Sequence, residues 1–199
     1  TYLAFYAPVA LFTALYFSTG STGLEVVTDI STGYMDRMFV SPIKRSAILL
    51  GKLLAMGTRA MIQSLIMLGF VLLWGAPFEA GWAGLPVLML LALFFGMAWA
   101  GLGLAISLFT KNPRVVQSGF VFFMPLTLMT TAQLPLDLLS GWYKTVVTLN
   151  PITYVLEGIR SLMLTGFDAT VLTHAFIAAI LFGAVTLGAS FIAFKRLSN

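Results

Sequence analysis

The chain has no cysteine, one histidine and little charge, since only 9% of its 199 residues are Asp, Glu, Lys or Arg. Without cysteine, structural disulfides and thiolate metal sites are excluded, and the redox compartment stays open. The scarcity of charge excludes an ordinary soluble domain, in which about a quarter of residues are charged. His174 has no Cys, His or carboxylate at ligand spacing, so a metal site is not supported and an interfacial polar residue is the simpler reading. No Gly-x-x-x-x-Gly-Lys-Ser/Thr occurs, and Gly51-Lys52 is followed by Leu53, so the chain carries no nucleotide-hydrolysing loop. No carboxylate falls at mid-membrane depth, which argues against a carrier driven through buried acids. Neither a serine–histidine pair nor two aspartates lie inside an apolar run, which removes an intramembrane protease. The N-terminus lacks the basic lead of a signal peptide. Thr1 is therefore expected not to be the natural start, with at least one further span upstream.

What is present is apolar: 59% hydrophobic residues and a mean hydropathy of +0.98. A span needs roughly 20 apolar residues to cross about 30 Å of hydrocarbon. Five segments meet that length, at about 1–24, 48–75, 85–109, 115–135 and 170–194. The fold expected is all-α, a single polytopic helical membrane domain with short amphipathic helices on both sides. The third span contains Gly96-x-x-x-Ala100 and Gly103-x-x-x-Ser107, spacings that let helix backbones approach closely. Pro125 interrupts the fourth, and Thr127, Thr130, Thr131 and Gln133 cluster beyond it. Two readings stay open for these hydroxyls: lining a cavity, or re-satisfying a kinked backbone.

Nearly half of the charge is gathered between Glu25 and Arg59. On a helical wheel Ile30, Tyr34, Met35, Met38 and Phe39 share one side, with Asp29, Thr32 and Asp36 on the other. Pro42 stops that helix, because the residue before a proline leaves the α region. A short amphipathic helix at a membrane surface and an ordinary solvated loop both fit the segment 25–47. Lys52 and Arg59, seven residues apart, share a face and read as interfacial anchors.

The segment 136–168 is too broken to span. It reads as two short amphipathic helices joined at Asn150-Pro151, with Pro151 at the first position of the second. Glu157 and Arg160 stand at i and i+3 and can pair. Trp142 and Tyr143 suit an interface, and Asp168 is a candidate N-cap for the last span. Basic residues then fix the sides. Arg37, Lys44, Arg45, Lys52, Arg59, Lys111, Arg114, Lys195 and Arg196 fall on one side, against Lys144 and Arg160 on the other. Segment 25–47 is thus cytoplasmic and 136–168 external. Basic residues spread over several short loops make no nucleic-acid patch.

Residues Gly33-Tyr-Met-Asp-Arg-Met-Phe-Val-Ser-Pro-Ile-Lys-Arg-Ser-Ala-Ile-Leu-Leu-Gly-Lys52 resemble the cytoplasmic loop of type-2 ABC transporter permeases, a group that includes multidrug and daunorubicin-resistance exporters. Leu134-Pro-Leu-Asp-Leu-Leu-Ser-Gly-Trp142 and Leu149-Asn-Pro-Ile-Thr-Tyr-Val-Leu-Glu-Gly-Ile-Arg160 resemble that family's external segment. Departures occur at Ser140, where proline is common, and at Thr130-Thr131-Ala132-Gln133, where small residues are usual. The resemblance implies six spans in the whole protein and a multi-pass subunit of a prokaryotic cytoplasmic (inner) membrane. It implies no enzyme activity in the chain itself: a separate ABC ATPase subunit binds ATP and Mg, and a second permease protomer pairs with this one as a homo- or heterodimer. Tyr34, Met35, Asp36, Arg37, Met38 and Phe39 would form the ATPase-coupling helix, with Met38 or Phe39 in a groove of the ATPase and Asp36 and Arg37 at its rim. Glu157 and Arg160 would form an external gate. Phe5, Phe12, Tyr16, Met124, Thr127 and Thr131 would line the path of an exported amphiphile such as a drug, a lipid or a lipid-linked glycan. An ABC component for ion or bacteriocin-type efflux or immunity is the alternative. A lipid-modifying enzyme is the remote one, because the buried ionisable residues it needs are missing.

Overall fold

A computed structural model describes residues 2–42, 44–133 and 136–197. Helix α1 (Tyr2–Gly20) is followed after one turn residue by α2 (Thr22–Ser31), and together they form one long apolar rod. The short α3 (Tyr34–Val40) leads to α4 (Arg45–Leu73), α5 (Gly81–Thr110) and α6 (Pro113–Leu128). A single 3₁₀ turn (Leu136–Leu138) precedes α7 (Gly141–Leu149), α8 (Pro151–Leu164) and α9 (Ala169–Leu197). Among the described residues four helical stretches are long and apolar enough to cross a bilayer: Leu3–Ser31, Ala47–Leu73, Gly81–Thr110 and Ala169–Lys195. The protein is a polytopic helical membrane protein.

The amphipathic pattern over 29–39 suggests one helix, and the structure makes two. The first span runs on to Ser31, and the chain turns at Gly33, whose φ of 71° is open to glycine at little cost. The Thr28 and Thr32 hydroxyls donate to the carbonyls of Leu24 and Thr28, which favours ending the helix there. At the other end of α3, Ser41 is extended ahead of Pro42, as a residue before proline should be.

Helix α5 is the central element, packed on α1, α2, α4, α6 and α9. Its glycines work as their spacing suggested. A Cβ on Gly96 would stand 2.5 Å from the Ala60 Cβ of α4, and a Cβ on Gly23 would stand 2.8 Å from the Gly103 carbonyl. The helices therefore approach closely at these points, where a larger residue than glycine would not fit without a shift. On the α9 side, Thr186 donates to the Ala98 carbonyl at 2.8 Å and Ser190 to the Gly101 carbonyl at 2.6 Å. A main cluster buries Phe12, Tyr16, Phe95 and Trp99 with Leu88, Leu91, Leu156 and Ile159. A second, at the end of the bundle that carries α3, buries Val26, Met35, Leu49, Leu53, Leu104 and Phe194.

The fourth expected span departs most from expectation. Helix α6 is 16 residues, about 24 Å long, and ends at Leu128 rather than near 135. Pro125 cannot donate to the ladder, and the following residues turn. The carbonyls left open where the helix ends are taken by the hairpin of α7 and α8. Asn150 Nδ2 donates to the Leu126 carbonyl at 2.6 Å and to the Met129 carbonyl at 2.8 Å. The Tyr143 hydroxyl donates to the Leu128 carbonyl at 3.2 Å, and Arg160 donates to the Thr131 carbonyl at 2.9 Å. Asn150 is 4% exposed and also caps α8, its Oδ1 accepting from the Ile152 N–H at 3.0 Å. Both ends of one amide are thus used.

This double role separates two substitutions. Asn150→Asp keeps the N-cap acceptor but points a second acceptor at two carbonyls. It is expected to cost about 2–4 kcal/mol, from two buried acceptors left without donors. Thermal unfolding in detergent should show a lowered midpoint, and hydrogen exchange should rise over 126–133. Asn150→Asp with both unchanged would show that these carbonyls do not need the hairpin.

Candidate functional site

One end of the helix bundle is built around α3. Met35 is 1% exposed and Met38 half-buried, and both pack with Val26, Ile48, Leu49 and Leu53. These residues stand at i and i+3, so one side of the helix is committed to the protein's own core. Tyr34, Asp36, Arg37 and Val40 lie on the opposite side and are exposed, Tyr34 by 52% and Val40 by 87%. Met35, expected among the outward-facing contacts, is therefore an internal anchor, and Met38 leans the same way. The backbone of Phe39 lies within α3, and its side chain falls outside the described residues.

Two ion pairs tie together the helices on either side of α3. Asp29 of α2 pairs with Lys52 of α4, both partly buried, and Glu25 pairs with Arg59 at 2.6 Å in a more open setting. The Ser21 hydroxyl donates to the same Glu25 oxygen at 3.0 Å. Lys52 and Arg59 thus do more than anchor at an interface, and Asp29 is turned to α4 rather than to water. The exposed pair contributes little, and the half-buried one contributes chiefly by fixing geometry. The sequence held the signal: carboxylates four apart on one helix match cations seven apart on the next, all on single faces.

At the opposite end, Glu157 and Arg160 pair as their spacing suggested. The pair is joined by Thr131, whose hydroxyl donates to Glu157 and accepts from Arg160 at 3.2 Å. The Arg160 guanidinium also stands over the Phe5 ring, 5.2 Å from its centroid. Four expected residues, two for the gate and two for the path, thus form one network linking α1, the end of α6 and α8. Among the described residues Arg160 Nε is buried there with no hydrogen-bond partner.

The remaining path residues separate. Phe12 and Tyr16 are 3% and 4% exposed, and their rings lie 5.4 Å from Phe95 and 4.7 Å from Trp99. They belong to the core and face no path outside this protomer; their helical face is the one α5 covers. Met124 is half-exposed and Thr127 partly so, both on α6. The hydroxyls of Thr127 and Thr130 donate to the carbonyls of Met124 and Thr127, at 2.7 and 2.8 Å. These two hydroxyls serve the backbone of the interrupted helix, and Gln133 is exposed. Asn150 and Tyr143 escaped sequence reasoning as members of this region. Only the open carbonyls after Pro125 call for them.

The family model described as ABC-2 type transporter matches residues 2–164, which include both α3 and the Glu157–Arg160 arrangement. A probable doxorubicin resistance ABC transporter permease protein of Mycobacterium tuberculosis (strain CDC 1551 / Oshkosh) is 26% identical over 156 residues, covering 74% of this chain and 54% of that protein. A daunorubicin resistance ABC transporter permease protein of Streptomyces coeruleorubidus is 28% identical over 163 residues, covering 81% and 58%. A putative transport permease of Cyanophora paradoxa is 30% identical over 166 residues, covering 81% and 56%. The chain spans about half the length of these curated relatives. No solved structure matches. With the family match running through α3, the central α5 and the external hairpin, the chain belongs to the ABC-2 type transporter family.

Proposed function

We propose that this chain is the membrane-spanning part of an ATP-driven exporter permease, docked through α3 on a separate ABC ATPase subunit that binds ATP and Mg. The observation that carries this reading is the two-sided character of α3. One side is buried by Met35, and the other offers Tyr34, Arg37 and Val40 to the cytoplasm. A short helix with an unpartnered face suits helix-in-groove recognition, with Tyr and Arg as anchoring residue types. Tyr34 and Val40 replace Met38 as the inserted residues, and Asp36 and Arg37 set register at the rim.

A second protomer, identical or related, completes the transporter, with the cargo path between the two along Met124 and Thr127. The Glu157–Arg160–Thr131 network holds the external end of that path closed by tying α8 to the end of α6. An amphiphilic cargo agrees with the apolar outward face of α6 and with relatives named for doxorubicin and daunorubicin resistance. The relatives from Mycobacterium and Streptomyces fit a prokaryotic cytoplasmic membrane.

The test is co-purification of the full-length protein with its candidate ATPase in nanodiscs, followed by ATP hydrolysis. Tyr34→Asp and Val40→Asp should each weaken the complex by about tenfold, in keeping with 1–2 kcal/mol for an anchoring contact. Lys144→Glu, on the external side, should leave it intact. Equal retention of the ATPase by all four proteins would overturn the docking assignment.

A further inference from the structure

Between α4 and the rod formed by α1 and α2 runs a cleft whose two halves differ in polarity. Lys52, Arg59, Gln63 and Met67 follow steps of seven and four, so they share one face of α4. Lys52 and Arg59 pair there with Asp29 and Glu25 of α2, and Arg59 also reaches the Ser21 hydroxyl at 3.5 Å. Met67 lies with Tyr6, Ala10, Thr13 and Phe17 of α1 around a groove of about 410 Å³. Gln63, between Arg59 and Met67, therefore stands level with the turn that joins α1 to α2. Opposite it, Ala14, Ser18 and Ser21 are four and three residues apart and share the face of the rod that meets α4.

Two polar groups at this level are unsatisfied. Among the described residues Ser18 Oγ is buried with no hydrogen-bond partner, and the Gln63 amide has no hydrogen bond. Their neighbours are engaged, Thr13 donating to the Val9 carbonyl at 2.7 Å and Ser21 to Glu25 at 3.0 Å.

The depth of this pair can be read along α4. Trp74 and Trp82, 72% and 89% exposed, mark one membrane interface. From Trp74 to Gln63 the chain runs about 16 Å, half of a hydrocarbon core of about 30 Å. From Trp74 to Lys52 it runs about 33 Å, the whole of that core. Gln63 and Ser18 thus stand near the midplane. Ion pairs and Ser21 fill the half of the cleft toward α3, and aromatic and apolar side chains line the other half.

Acyl chains offer nothing to an amide or a hydroxyl at the midplane, and both groups are costly to leave dry. The occupant of the cleft therefore brings a hydrogen-bonding group to that depth. The charges alongside are already paired with each other, so the group is neutral. Beyond it the groove follows α1 for about 16 Å from Phe17 to Tyr6.

We propose that this cleft holds the exported amphiphile as it leaves the inner leaflet, with a neutral hydrogen-bonding head at Gln63 and Ser18 and an apolar body along Phe17, Thr13 and Tyr6. The site rests on the export reading made for this chain and stands at the start of that route. The order of polarity selects this occupant. An inner-leaflet amphiphile keeps its head toward α3 and its apolar body toward the far interface, and the cleft is polar and apolar in the same order. A further apolar helix would instead lie against the Arg59–Glu25 pair, whose side chains are 48% and 40% exposed one turn below Gln63.

The experiment is thiol labelling of the full-length protein with its ATPase in nanodiscs, in a background without other cysteines. Gln63→Cys is compared with Ile62→Cys, a neighbour at the same depth on the exposed side of α4. A charged, membrane-impermeant thiol reagent should react with Gln63→Cys at least about tenfold faster, because a thiolate forms in the hydrated cleft and not in lipid. Dodecanamide, a neutral amide with an apolar chain, should slow that reaction, and Thr13→Trp, which fills the groove, should abolish the protection. Ser21→Cys, one turn away, reports the same protection where Gln63→Cys does not fold. Equal labelling of Gln63→Cys and Ile62→Cys would overturn the site, because lipid or a further helix would then cover it. So would fast labelling that dodecanamide leaves unchanged. Failure of the wild-type protein to hold an ATPase would count against the export reading alone, since the labelling contrast is read in the membrane domain.

Discussion

Everything in this protein answers to the cost of leaving a backbone polar group unpaired in hydrocarbon. Four long helical stretches meet that cost internally. Helix α6 does not, because its end at Leu128 and the turn that follows leave a set of carbonyls open. The hairpin of α7 and α8 satisfies them with Asn150, Tyr143 and Arg160, each supplying donors from outside the helix. A segment that might have been a loose loop is thereby fastened to the membrane domain, and α6, α7 and α8 become one unit.

The end that carries α3 follows a different logic. There the organising contacts are charged. Asp29–Lys52 and Glu25–Arg59 tie α2 to α4, the two helices that flank α3. Met35 seats α3 in the cluster beneath. A push on the outer face of α3 would therefore be felt by α2 and α4 together, and through Val26, Leu104 and Phe194 by α5 and α9. At the opposite end α1 meets the Glu157–Arg160 network through Phe5. Both ends of the rod formed by α1 and α2 are thus held by charged groups, with a dry aromatic core between them.

Much of this was legible in the sequence, where composition and periodicity act alone. Apolar run length pointed to five spans, four of which are long helical stretches; small-residue spacing gave the close approaches at Gly96 and Gly103, and Asp168 caps α9 through the N–H groups of Thr170 and Val171. The i, i+3 spacing gave the Glu157–Arg160 pair. What was not legible depends on which neighbour a face meets. Phe12 and Tyr16 look alike as path or core until α5 covers them. Met35 and Tyr34 look alike on a wheel until the second cluster takes one and leaves the other. The break at Gly33 was hidden because the apolar pattern continues across it, while the backbone does not.

The central claim is that α3 receives the movement of an ATPase and passes it into the membrane helices. The most direct measurement is a spin-label distance in the full-length protein complexed with its ATPase, using Asp36→Cys on α3 and Trp82→Cys at the external start of α5. In the cysteine-free sequence given, these are the only thiols. If α3 is the input, trapping the complex with ATP and vanadate changes this distance by at least about 2 Å, the scale of helix shifts in coupled transitions. An unchanged distance while the same complex hydrolyses ATP would contradict the claim.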